Sequence, residues 1–168
     1  GEDLIATMIA REVTALRESF DIAGFPLVGL GKAYRDSGIP VIGSQDTMPS
    51  GGFLRHGLPY ILRDIKAGLI GLTVRQIKDL KAIGRSVTLL VSVGDIYPLF
   101  LGGRYVKAPM LFMSTAKSEY IKGHLGMECR LMRKYAGLVL ARDERTSNAL
   151  REMGVATQYA GNVMMDGF

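Results

Sequence analysis

Ser86-Val87-Thr88-Leu89-Leu90-Val91-Ser92-Val93, followed by Gly94-Asp95-Ile96-Tyr97-Pro98, is the stretch on which the fold turns. Residues 86–93 are a run of β-branched residues and leucine with no charge in it. A strand with one wet face alternates apolar and polar residues. A near-continuous run belongs instead to a parallel sheet covered on both faces. Gly94 ends the run, Asp95 stands where it can cap a following helix, and Pro98 suits the first turn of that helix. The segment predicts a central strand that delivers a carboxylate to its C-terminal end.

The same units recur on either side. Apolar residues at helical spacing, from Ile5 through Met8, Ile9, Val13 and Leu16 to Phe20, predict a helix over 4–19. A strand is expected at 25–30, a short helix at 32–37 and a short strand at 39–42. A glycine-containing loop, 43–57, leads to helices over 58–72 and 73–83. Beyond the central run, strands are expected at 109–113, 137–141 and 155–159, separated by helices at 127–135 and 144–153. Short buried strands alternating with amphipathic helices make βαβ units and a parallel sheet. The expected fold is α/β, a Rossmann-like doubly wound parallel sheet in a single domain over residues 1–168. Helical periodicity starts almost at Gly1, so the sheet is expected to lack its first strand, in a fragment that begins inside a loop.

The totals narrow the function classes. With 168 residues, 48% of them apolar and 22% charged, the chain can bury the core of one globular domain. No stretch of 18 apolar residues crosses a bilayer, and no charged-then-apolar leader is visible. One cysteine, Cys129, makes no internal disulfide and fits a reducing compartment, so a cytoplasmic location is expected. The net charge of +5 favours anionic partners: nucleic acid, acidic lipid headgroups or a nucleotide diphosphate. Aromatics are sparse and tryptophan is absent, which argues against a stacking platform for single-stranded nucleic acid.

In open parallel sheets, ligands sit outside the C-terminal ends of the strands. Gly1-Glu2-Asp3 opens the first helix, where free N–H groups suit a phosphate or a sugar hydroxyl, although Asp3 is better read as a cap. In Met48-Pro49-Ser50-Gly51-Gly52-Phe53-Leu54, the two glycines permit close backbone approach. The loop's apolar residues make either a lip for an acceptor lipid, with Arg55, Arg63 and Lys66 near its headgroup, or an ordinary tucked loop. Arg75, Lys78, Lys81 and Arg85 form a basic helix face, read first as solvated and second as a membrane contact. Asp95 has the strongest individual claim, as a rigidly held general base or as a plain helix cap, the two readings weighing equally. In the polar loop Ser114–Tyr120, Lys117 suits an anion, Glu119 suits a sugar hydroxyl, and Tyr120 closes the segment. Asp143 reads as a cap, Arg142 as a cleft-facing cation, and Gly161-Asn162 as the turn after the last strand. His56 and His124 have no partner at metal-ligand spacing, and neither a P-loop nor a serine-hydrolase elbow occurs.

Taken in order, Gly1-Glu2-Asp3, Met48–Phe53, Val93–Pro98, Thr115–Tyr120 and Gly161–Gly167 resemble the lipid-A-disaccharide synthase-related proteins of cyanobacterial and Deinococcus type. The resemblance spans essentially the whole chain. It implies the N-terminal, acceptor-side domain of a GT-B glycosyltransferase. A C-terminal domain, absent from this sequence, would bind most of a UDP-sugar donor, and no essential metal or other cofactor would be needed. The synthase's Pro-Asp-Phe-Asn segment, which carries its proposed base, corresponds to Gly94-Asp95-Ile96-Tyr97, so the base role would pass to Asp95. The implied partners are a UDP-sugar and a glycolipid acceptor, with peripheral contact to the anionic inner face of the membrane and no nucleic acid. Three departures fall on the acceptor side: the first loop is shortened, the tryptophan-rich segment is replaced by Ser114–Tyr120, and Gly161-Asn162-Val163 stands where the synthase has Gly-His-Pro. The alternative expectation is a non-catalytic protein of the same fold that binds a glycolipid or a sugar nucleotide.

Overall fold

A computed structural model describes residues 2–16, 21–27, 29–47, 57–120, 123–159 and 161. The chain gathers into two compact units, Asp3–Leu80 and Lys81–Phe168.

The first unit is helical with an irregular middle. Helices α1 (Glu2–Leu16), α2 (Lys32–Asp36), α3 (Gly57–Lys66) and α4 (Leu69–Ile83) follow in order. Asp3, expected to cap α1, lies inside it. The strands expected at 25–30 and 39–42 reduce to one parallel bridge, Gly24 to Val41. Its two hydrogen bonds run from Gly24 N to Pro40 O and from Ile42 N to Gly24 O. The sequence explains the shortfall: Pro26 and Pro40 have no N–H to donate, and Gly29 and Gly31 take φ values of 125° and 62°, outside extended geometry. Side chains of α4 hold this segment instead. Fully buried Gln76 donates to Leu27 O, and Asp79 accepts from both N and Oγ of Ser44 at 2.9 and 2.7 Å. The break between α3 and α4 falls at Gly68, with φ 99°, four residues earlier than the expected boundary at 72/73. Periodicity continues across that break, and only the left-handed glycine marks it.

The second unit holds the sheet. Strands β1 (Leu90–Gly94), β2 (Met110–Ser114), β3 (Leu138–Ala141) and β4 (Thr157–Gln158) lie in the order β1-β2-β3-β4, all parallel. Helices α5 (Ile96–Tyr105), α6 (Gly126–Tyr135) and α7 (Glu144–Glu152) make the crossovers. Right-handed connections that step repeatedly to the next neighbour place their helices on one face. The core follows from that. Leu99 of α5, Cys129 and Met132 of α6 and Leu150 of α7 pack with Met110, Phe112, Val139 and Ala141 of the strands. An all-parallel sheet flanked by helices is α/β, consistent with the Rossmann-like doubly wound fold expected from the sequence. The central run differs in detail: its first four residues precede β1, and Leu89 and Val91 are exposed rather than buried.

Two glycines let α5 lie close to its neighbours. A Cβ on Gly103 would meet Tyr135 Cβ at 2.4 Å, and one on Gly102 would meet Leu90 Cδ2 at 2.6 Å. The C-terminal ends of β1 and β2 sit beside the N-termini of α5 and α6.

Candidate functional site

β1 ends at Gly94, whose φ of 120° is strained for any residue with a side chain. That turn carries the chain out of the sheet and leaves Asp95 as the N-cap of α5, with Oδ1 accepting from Tyr97 N at 2.9 Å. Pro98 falls in the first helical turn, where no N–H is needed. The carboxylate stands at the C-terminal rim of the sheet, in the position the sequence predicts.

Beside it is a small cavity of about 20 Å³, lined by Asp95, Ser114, Lys117, His124 and Glu128 over a floor of Phe112 and Met132. A single water needs about 10–15 Å³, so this space is water-sized. Four of its polar side chains adjoin one another. Lys117 Nζ donates to both oxygens of Glu128, at 2.6 and 2.7 Å. Glu128, at the third position of α6, also accepts from Leu125 N at 2.9 Å and so caps that helix. His124 Nδ1 lies 3.5 Å from Glu128 Oε2, and its Nε2 lies 3.2 Å from Ser114 Oγ.

The electrostatics follow from burial. Desolvation alone would raise the Glu128 carboxyl. The hydrogen bonds from Lys117 and Leu125 outweigh it, and the group titrates below its ordinary value of 4.5. For His124, desolvation dominates and is only partly opposed by the Glu128 charge, so the imidazole titrates below 6.5 and is neutral at pH 7. Electrostatics favours the tautomer with the proton on Nδ1, facing the carboxylate, and the Ser114 hydroxyl donating to Nε2. The 3.5 Å contact to Glu128 is not a hydrogen bond, so among the described residues that nitrogen is buried without one. An orphaned buried group of this kind costs about 1–3 kcal/mol.

The other expected site residues separate into groups. Lys117 is in the pocket, but its charge is already taken by Glu128. Glu119 turns back on its own loop: its N–H donates to Thr146 Oγ1 at 2.9 Å, and its Oε1 accepts from His124 N at 3.3 Å. Tyr120 is 70% exposed, with the Arg145 guanidinium 5.3 Å from its ring centre. Arg142 donates to Thr115 O at 3.2 Å, tying together the loops after β2 and β3. Asp143 caps α7 through Thr146 N and accepts from Ser118 Oγ, so both its oxygens are engaged. Glu2 is the first residue of α1. Gly1, Gly51, Gly52 and Asn162 lie outside the described residues, as do the side chain of Glu2 and the Met48–Phe53 loop.

Ser114 belongs to the polar loop read as a ligand contact and His124 is weighed only as a metal ligand, while Glu128 is not singled out from the sequence. The only available signal was the four-residue step from His124 to Glu128 at the start of an amphipathic helix. Among the described residues, no group of three or more His, Cys, Asp or Glu side chains could hold a metal ion. Chemically, the arrangement places a carboxylate, a neutral imidazole and a hydroxyl around a water-sized space. Comparison of the chain with protein-family models, with curated proteins and with solved structures finds no match.

Proposed function

We propose that this chain is the acceptor-side part of a glycosyltransferase that moves a sugar from a UDP-sugar to a hydroxyl on a lipid-linked acceptor. The observation that carries the reading is Asp95. Its carboxylate is held at the C-terminal end of β1 by a left-handed glycine and a helix cap, and it borders a small cavity that Ser114, Lys117, His124 and Glu128 also line. In this reading Asp95 removes the proton of the acceptor hydroxyl as that oxygen attacks the anomeric carbon, and UDP departs with the bonding electrons. The donor is held mainly by the second domain that the GT-B resemblance implies.

Peripheral attachment to the cytoplasmic face of a membrane belongs to the same proposal. Leu62 and Ile65 of α3 and Ile70 and Val74 of α4 are exposed, on helices that also carry Arg63, Lys66, Arg75 and Lys78. Exposed apolar residues among cations suit an anionic lipid surface. Among the described residues, no helix is long and apolar enough to cross a membrane.

The test uses the whole protein, including any sequence that accompanies these 168 residues, with UDP-sugars and lipids extracted from membranes. UDP release that requires lipid, and is faster on anionic than on zwitterionic vesicles, is the expected result. Release that ignores lipid, or no release with any donor, contradicts it. One observation favours a second reading, a binding protein without turnover: Asp95 Oδ1 is already committed to capping α5. That reading expects saturable binding of glycolipid or sugar nucleotide with no UDP formed.

A further inference from the structure

His124 carries a buried group that the proton transfer just described does not use. Its side chain is 3% exposed and lines the cavity that Asp95 also borders. Nε2 is engaged with Ser114 Oγ at 3.2 Å, while Nδ1 makes no hydrogen bond among the described residues. Buried polar nitrogens in folded proteins are satisfied by protein or by ordered water, and each exception calls for an account. Glu128 Oε2 stands 3.5 Å from Nδ1, too far for a direct bond but within the span that a water bridges.

Size and charge decide the ligand. The cavity holds about 20 Å³. A single water needs about 10–15 Å³ and two to four polar partners, so one water fits and a sugar ring or a phosphate does not. Partners are at hand. Beside the Nδ1 proton, Glu128 Oε1 accepts only from Lys117 among the described residues and keeps a lone pair. The Lys117 ammonium has a third N–H beyond the two given to Glu128. A metal cation in this space would meet that ammonium and the Nδ1 proton, and an anion would meet the Glu128 carboxylate. Water both donates and accepts, and it brings no charge.

We propose that the cavity is a binding site for one internal water, which accepts from His124 Nδ1 and donates to the Glu128 carboxylate. The bridge joins the imidazole to α6, and through Ser114 Oγ it ties α6 to the end of β2. The inference does not depend on sugar transfer and holds for a binding protein as well as for an enzyme.

The chain contains two histidines, His56 and His124, so ¹⁵N-histidine spectra of a His56→Gln variant report His124 alone. At neutral pH the expected spectrum has the ring proton on Nδ1, with a direct dipolar contact from that proton to a long-lived water. Oxygen-17 relaxation should count that water in the wild type and one fewer in His124→Phe. The contact should persist when sodium chloride is replaced by potassium sulfate, which separates a water from a bound ion. A ring proton on Nε2, no contact to water, or a contact that changes with the salt overturns the inference. So does a folded His124→Phe protein that keeps all its long-lived waters. The spectra with His124 in place need no variant at that position, so they decide the matter even where His124→Phe fails to fold.

Discussion

Asp95 and Asp143 occupy equivalent places, each the residue that caps the helix after a parallel strand, yet their surroundings differ. Asp143 accepts from Thr146 N and Ser118 Oγ at 2.7 and 2.6 Å, and these bonds outweigh desolvation to hold its carboxyl below the ordinary 3.8. It braces two loops. Asp95 caps its helix and also borders the pocket. From sequence alone Asp143 reads as a cap, while Asp95 reads equally as a base or a cap. The Lys117–Glu128 pair shows what sequence could not reveal: Lys117, read as an anion contact, was already paired within the fold. Replacing it with methionine strands a carboxylate that is 9% exposed. Lys117→Met should cost about 1–3 kcal/mol at neutral pH, measured by urea unfolding. The acid response has a definite sign. Glu128 titrates below 4.5 when folded, so its contribution is present above that pH and is lost as pH falls through the folded value. Without Lys117 the folded value rises, and acid unfolding should begin at higher pH than in the wild type. An unchanged acid midpoint would mean that the pair contributes nothing.

At the scale of elements, α5 shows how packing overrides propensity. Alanine is a better helix former than glycine by about 1 kcal/mol. At Gly103, however, the new methyl would meet Tyr135 Cβ at 2.4 Å, close to the α6 backbone, and overpacking of this kind costs about 1–3 kcal/mol. Gly103→Ala should therefore destabilise by ~1 kcal/mol or more in thermal or urea unfolding. Gly102→Ala should do less harm, because it meets the movable end of Leu90. A stabilised Gly103→Ala protein would show that α5 and α6 are not in close contact. The helices were legible at this scale: α6 and α7 fall within a residue of their expected bounds, since their periodicity is strong. The strands at 25–30 and 39–42 were not, because apolar composition is visible in sequence while prolines and left-handed glycines spoil the ladder locally. The end of the central strand was read correctly because glycine followed by aspartate has a mechanical meaning: a turn, then a cap.

For the whole molecule, the sequence carried the α/β class through its alternation of short apolar runs and amphipathic helices. It carried only part of the site. Ser114, Lys117, His124 and Glu128 meet because β2 ends beside the start of α6, a proximity set by the crossover and not by local spacing. The acid sensitivity of the fold belongs here too. His124 is held below 6.5 by burial, so acid first favours the unfolded chain as pH drops under that value, and Glu128 and Asp143 add to the loss further down. All three groups destabilise in the same direction. The account as a whole stands on Asp95 acting as a base and not only as a cap, and one substitution separates the two roles. Asparagine caps helices about as well as aspartate but takes no proton at neutral pH. In the whole protein, lipid-dependent UDP release by Asp95→Asn should fall by ~10²–10⁴-fold, the range for loss of a general base, with thermal stability nearly unchanged. UDP release at the wild-type rate by an equally stable Asp95→Asn protein would contradict it.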